Sequence, residues 1–426
     1  MATHNLFERP GLFDNQTRLI LSADAKPKRL TRPTSALGRS YSRERFDSNS
    51  SASDIEEIDE DIENRPSEDN TDEIYTERKP SGRHEEVNYD TDIEADPELP
   101  RDHSCRAVYI DQCRRHGVVP STHFLRSIDN DNVTIRYCGL KPINIKVMVA
   151  PLKLNSTITR LDLRDNCLGS RGAIYITNLI KDNGYIDELN LGNNDIGIHG
   201  CKTLCKVLCS NRSIRMLYLD GNRFNDECAP FFAEVFSQNE CLNYLNLNRN
   251  AFENETTGRL FGQSLIENQS LQELHLAWNH LSSRACGLLL KQLGTNARLT
   301  TIDLSWNAGA LFTAKAMNDL LKKNTTLEKI YIEHNKLDTE CATYIGKGLA
   351  KNESLKFLSL NGNPMESSGC YAVLKPLLKH PTCTLQSISL IGITVNQDFI
   401  DLVTEVSGVL PQLDIKIGRE QEQEFE

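Results

Sequence analysis

The thirteen cysteines and ten histidines are the side chains of this chain best suited to hold a metal or attack an electrophile. Cys201, Cys205 and Cys209 stand at i, i+4 and i+8, one face of a helix, and that spacing invites a metal reading. A wider pattern outweighs it. Cys201, Cys228, Cys286, Cys341 and Cys370 share one recurring slot that Ala, Gly or Thr fills elsewhere, so cysteine serves there as a small buried hydrophobe. Their odd number, and a polar, charged stretch at residues 1–10 where a secretory leader would be apolar, predict free thiols in a reducing compartment. His275 and His334 fall on predicted strand faces two strands apart. At ~4.8 Å per strand they stand roughly 10 Å from each other, too far to share a metal without a third ligand. The chain carries no G-x-x-x-x-G-K-[ST] phosphate loop, no G-x-S-x-G elbow and no H-E-x-x-H pair. No catalytic residue, cofactor or metal is expected, and the chain reads as a non-enzyme.

The chemistry that remains is recognition. Trp, Tyr and Arg dominate binding hot spots. The only two tryptophans, Trp278 and Trp306, are 28 residues apart. Tyr218, Tyr244, Arg249, His275, Tyr331 and Phe357 recur in related positions, so these eight are the candidate partner contacts. What positions them is a repeated phrase. It reads Ile158-x-x-Leu161-x-Leu163-x-x-Asn166 and returns seven times, ending on Asn194, Asn222, Asn250, Asn279, Asn307, Asn335 and Asn363. The step is 28 residues, once 29, and 30 into the last unit. This is the leucine-rich repeat signature.

Each unit dictates its own local structure. Apolar residues at positions 4 and 6 alternate with polar ones, so positions 1 to 8 predict a short strand. The Asn at position 9 has the donors and acceptors to satisfy backbone groups at a sharp turn, so stacked units predict an Asn ladder. A pair of small residues follows, from Gly172-Ala173 through Thr256-Thr257 to Gly369-Cys370. Larger apolar residues come next at helical spacing: Ile176, Leu204, Phe232, Leu260, Leu289, Met317, Ile345 and Val373. A helix takes more room than a strand, so the predicted fold is α/β: a curved solenoid or horseshoe, with parallel inner strands and outer helices. Strand positions 3, 5, 7 and 8 are expected to face away from the core onto the concave surface. On that reading Trp278 and Trp306 stand about 5 Å apart, either meeting a partner or lying flat over the Asn turn.

The predicted organisation is an arm at 1–99, a helical cap at 100–129, about ten repeats at 130–395, and a closing cap and short tail at 396–426. The first repeat has Cys138 in place of the Asn, and the last has Ile393. The opening cap holds two short helical patterns, around Tyr109 and Phe124, split by Val118-Val119-Pro120. The closing cap runs from Phe399 to Ile417.

Charge is unevenly distributed. Residues 1–104 hold 14 Lys+Arg against 25 Asp+Glu, while the whole chain holds 48 against 59, so the remainder is balanced at 34 each. Within the arm, 18–45 is basic and 47–98 acidic, with few large apolar residues, so the arm is expected to be disordered. Ser48, Ser51 and Ser53 precede Asp54-Ile55-Glu56-Glu57 and form a candidate site for an acid-directed kinase. The balanced repeats argue against a nucleic-acid groove. No stretch reaches the ~18 apolar residues of a membrane span. A cytoplasmic monomer is expected, with nucleus and axoneme as alternative locations.

The repeat length and small-pair helix resemble the ribonuclease-inhibitor type of leucine-rich repeat. The segment Tyr109-x-x-x-Cys113-x-x-x-Gly117-Val118-Val119-Pro120-x-x-x-Phe124-x-Arg126, with Cys138-Gly139-Leu140 after it, is similar to the leucine-rich repeat-containing protein 74 family. That resemblance spans roughly 98–415 and implies no enzyme activity. The leading expectation is a non-catalytic scaffold with its protein partner on the concave face. Two alternatives come from the same repeat type. A GTPase-activating protein of the Ran-regulator type would use Arg164 or Arg249 as a supplied charge. A ribonuclease-inhibitor-like protein would need an acidic concave face, which Arg160, Arg164, Arg249 and Lys329 oppose.

Overall fold

A computed structural model describes residues 104–418. The arm and its serine cluster lie outside the described residues. Eleven strands form one parallel sheet in chain order. They are β1 Asn132–Thr134, β2 Arg160–Asp162, β3 Glu188–Asn190, β4 Met216–Tyr218, β5 Tyr244–Asn246, β6 Glu273–His275, β7 Thr301–Asp303, β8 Lys329–Tyr331, β9 Phe357–Ser359, β10 Ser387–Ile391 and β11 Asp414–Gly418. Twelve helices precede or connect them: α1 Cys105–Arg115, α2 Thr122–Ser127, α3 Pro142–Leu154, α4 Gly169–Asp182, α5 Gly197–Leu208, α6 Ala229–Gln238, α7 Glu255–Leu265, α8 Ser283–Leu293, α9 Leu311–Lys323, α10 Thr339–Leu349, α11 Glu366–Leu374 and α12 Gln397–Val409. The fold is the expected leucine-rich-repeat solenoid.

Register follows the repeat. Leu161, Leu189, Leu217, Leu245 and Leu274 pair in one row across neighbouring strands, and all are buried. The strands are shorter than the eight positions read from the pattern: through β9 each spans only positions 3 to 5. The cause is the turn. Position 8 has a left-handed backbone in ten consecutive units: Tyr137, Asp165, Asn193, Gly221, Arg249, Trp278, Trp306, His334, Gly362 and Gly392. A residue at φ near +55° cannot continue a strand. Parallel pairing nevertheless persists into the turn, where Leu163 N–H donates to Asn190 O at 2.9 Å and Asp165 N–H to Gly192 O at 3.0 Å.

The position-9 asparagines fill that turn. Asn222 Nδ2 donates to Leu191 O, Leu219 O and Asp220 O, while its Oδ1 accepts from Asn194 N at 3.1 Å. A second ladder lies at the other end of each unit, where the helix gives way to the next strand. Asn155, Asn183, Asn211, Asn239, Asn268, Asn296, Asn324 and Asn352 are all buried. Asn239 Nδ2 donates to Leu208 O at 2.7 Å, and its Oδ1 accepts from Cys241 N and Leu242 N. The pattern Asn-x-x-Ile/Leu states this ladder at eight successive repeat openings, from Ile158 to Leu355.

Behind the sheet one core runs from Tyr109 to Leu413. The slot cysteines are buried in it, and burial pushes the Cys286 and Cys370 thiols up to about 12. One assignment shifts. The 29-residue unit takes its extra residue ahead of α7, so the buried small pair is Thr257-Gly258 rather than Thr256-Thr257. Phe261 fills the core there instead of Leu260. A Cβ on Gly258 would stand 2.1 Å from Ala285 O, so the approach of α7 to α8 requires glycine.

Candidate interaction surface on the open face of the sheet

On the sheet face turned away from the helices, Tyr218, Tyr244, His275, Tyr331 and Phe357 lie on β4, β5, β6, β8 and β9, while Arg249, Trp278 and Trp306 lie in the turns that follow β5, β6 and β7. They divide into three groups. The first follows from the left-handed turn, which projects the position-8 side chains over one another. Trp278 and Trp306 stack with ring centroids 4.0 Å apart at 11°. Trp306 and His334 stack at 3.8 Å and 18°. The Arg249 guanidinium caps the other end, 5.9 Å from the Trp278 ring. His334 lies against Gly362, where a Cβ would meet the imidazole at 2.4 Å. The stack thus spans five units, and both indoles keep about two-fifths of their surface exposed (44% and 39%). The repeat pattern predicts His334 on a strand face. The structure puts it in the turn at φ +47°, as the third ring of the stack.

The second group lies on β4 to β6. Tyr218 and Tyr244 rings stand 4.9 Å apart, and Tyr244 and His275 rings 5.0 Å apart. His275 is mostly buried and sits between two carboxylates, with Nδ1 3.7 Å from Asp303 and Nε2 3.7 Å from Glu273. These are ion-pair rather than hydrogen-bond distances, and Nε2 is buried with no hydrogen-bond partner. Burial alone would lower the imidazole pKa. The Asp303 and Glu273 charges outweigh it and raise it to about 9, so His275 is a cation at neutral pH. The third group is Tyr331 and Phe357 on β8 and β9, with rings 5.0 Å apart. Burial, then the charges of Asp303, Glu273 and Glu333, push the Tyr331 phenol up. The carboxylate of Asp303 therefore lies within electrostatic reach of both the second and third groups.

Position 7 is mixed, with Arg164, Asn248, Glu333 and Asn361 partly exposed. Asp220, Ala277 and Ser305 are buried. Their side chains and those of their equivalents reach toward the adjoining unit: Asn248 Oδ1 accepts from Ala277 N at 2.6 Å, and Ser305 Oγ from Glu333 N at 3.2 Å. The face is therefore built from positions 3, 5 and 8, with position 7 joining them in some units. Arg164, also at position 7, is held between Asp220 at 2.8 Å and Asp165 at 3.2 Å, which neutralises the charge a GTPase activator would supply. Among the described residues no group of three or more His, Cys, Asp or Glu is arranged to hold a metal ion.

Fold and face together define a leucine-rich-repeat protein. The Leucine Rich repeat family matches residues 154–176, 267–287 and 351–374. Among curated proteins, the chain is 31% identical over 124 residues to the NACHT, LRR and PYD domains-containing protein 9B of Mus musculus, covering 28% of this chain and 12% of that one. It is 30% identical over 95 residues to Protein TORNADO 1 of Arabidopsis thaliana, covering 22% and 7%. The match thus spans about an eighth of the first relative. Among solved structures, an internalin from Listeria monocytogenes aligns over 74% of this chain and 90% of its own, at 13% identity and a TM-score of 0.42.

Proposed function

We propose that the repeat unit is a non-catalytic scaffold whose protein partner docks on the open face of the sheet. The observation that carries this reading is the Arg249–Trp278–Trp306–His334 stack. Four consecutive units hold large side chains in a left-handed backbone that glycine occupies in the units before and after them. Bulky residues at positive φ store strain, and such strain collects at functional sites. Stacking fixes the rings before a partner arrives, so less side-chain freedom is lost on binding. Tyr218, Tyr244, Tyr331 and Phe357 extend the aromatic area, and His275 orders the centre.

The test is affinity purification from cell extract with the intact chain and with Trp278→Ala/Trp306→Ala, compared by quantitative mass spectrometry. Partners that fall by tenfold or more, as hot-spot loss of ~2 kcal/mol implies, with circular dichroism unchanged, support the reading. Partner recovery unaltered by the double variant removes it.

We also propose membership of the leucine-rich repeat-containing protein 74 family. Its cap motif supports this by packing as one unit: Tyr109 Oη accepts from Ser121 N at 3.0 Å, and its ring meets Phe124 edge-on at 4.6 Å. A cytoplasmic location is proposed from the free state of the cysteines. Among the described residues no helix is long and apolar enough to cross a membrane.

A further inference from the structure

The helical side of the solenoid carries a second set of aromatic residues, on α9, α10 and α11, with no role in the open face. Phe312 and Tyr371 are exposed, and Tyr344 is half-buried. Each ring has a cation beside it. Arg284 lies 5.7 Å from Phe312, and Lys375 lies 5.6 Å from Tyr371. Tyr344 has two: Lys315 from α9 at 5.4 Å and Lys347 from its own helix at 5.3 Å.

The outer cations are already matched. Arg284 pairs with Glu255 at 3.3 Å, and Lys375 with Glu405 at 3.7 Å. The inner two are not: among the described residues, no carboxylate pairs with Lys315 or Lys347. The nearby Asp319 instead accepts from Asn318 Nδ2 at 3.0 Å. Two ammonium groups beside one ring repel each other weakly through solvent, and an anion placed between them is attracted by both. The surrounding charge has the same sign. Across α8, α9 and α10 six Lys and Arg face two Asp and Glu.

We propose that this outer ridge binds an acidic peptide segment of a partner protein, with Lys315 and Lys347 as the anion contacts and Tyr344 as the post that holds them. A peptide fits better than a nucleic acid. Base stacking needs open ring faces, and the Tyr344 ring is attended by two of the protein's own ammonium groups. The proposal uses a different side of the sheet from the open-face reading and stands without it.

The test uses the full chain and a labelled Glu-rich peptide, followed by fluorescence anisotropy at low and moderate salt. Lys315→Glu/Lys347→Glu should weaken binding by roughly tenfold, the loss of two exposed ion pairs. Tyr344→Leu keeps both charges but frees them, and should weaken it by a smaller factor. Lys181→Glu/Lys202→Glu on α4 and α5 changes net charge equally and should leave affinity within about twofold. All these lysines are exposed, so folding is retained. Equal losses from both lysine pairs would reduce the effect to bulk charge and overturn the site. No binding of the peptide by the intact chain would also overturn it. A single-stranded oligonucleotide of matched charge that binds more tightly, and is lost with Lys315 and Lys347, would replace the peptide with a nucleic acid.

Discussion

His275 shows what one residue contributes when its charge is held between two others. Its folded pKa of about 9 lies above the ordinary value of 6.5, so the folded state binds the proton more tightly than the unfolded chain does. The resulting stabilisation is complete below pH 6.5 and is lost as pH rises through about 9. Thermal unfolding of the intact protein and of His275→Gln should differ most near pH 6 and converge above pH 9; a gap that is constant over that range would show that folding does not raise the imidazole pKa. The tryptophans make a second residue-level prediction, because at φ +55° Trp306 occupies backbone that only glycine adopts without strain. Trp306→Gly should therefore be more stable than Trp306→Ala by about 1 kcal/mol, the reverse of the usual order in ordered structure. Denaturant melts of the two variants decide it. No sequence rule would place two indoles at positive φ, since the local preference of Trp runs the other way. The stack was legible only as a shared position in neighbouring repeats, which gave proximity but neither the ring geometry nor the part played by His334.

At the scale of the element, the unit is a strand and a helix joined by two asparagine-filled bends. The first bend was readable because Asn166 and its successors sit inside the leucine phrase. The second was equally periodic, but its asparagines fall between the end of one predicted helix and the start of the next phrase. Physically the two ladders do the same work: each amide satisfies backbone groups on both sides of a break in regular structure. Asn239 meets two carbonyls and two N–H groups in a buried setting. Asn239→Ala leaves the Cys241 and Leu242 N–H groups without protein partners, while the Leu208 and Asn211 carbonyls still accept from Asn211 N–H and Arg212 Nη1; the change should cost about 2 kcal/mol, measurable as a fall in unfolding midpoint. A loss below about 1 kcal/mol would mean that water replaces the amide. The helix interface has a different tolerance, set by closeness rather than polarity. The inserted residue before α7 explains why the sequence mispaired Thr256 with Thr257: a fixed offset from the Asn misses an insertion inside the unit.

On the scale of the whole repeat unit, stability is a chain of nearest-neighbour contacts, so its ends carry more than their share of the burden. The closing end is built differently from the interior. β10 and β11 pair over five residues, where the interior strands pair over three. On β11 the apolar Ile415 and Ile417 are half-buried against the core, and Asp414 and Lys416 point outward. A charged last strand resists pairing with another sheet edge. Deleting residues 396–426 would uncover β10, whose buried Ile388 and Leu390 would meet solvent along a longer unpaired edge. The truncated protein is expected to unfold at lower temperature and to self-associate, and light scattering after gel filtration will show both dimers and larger species. A truncated chain that stays monomeric with an unchanged melting temperature would mean that β10 already closes the solenoid, and that α12 and β11 serve some purpose other than capping.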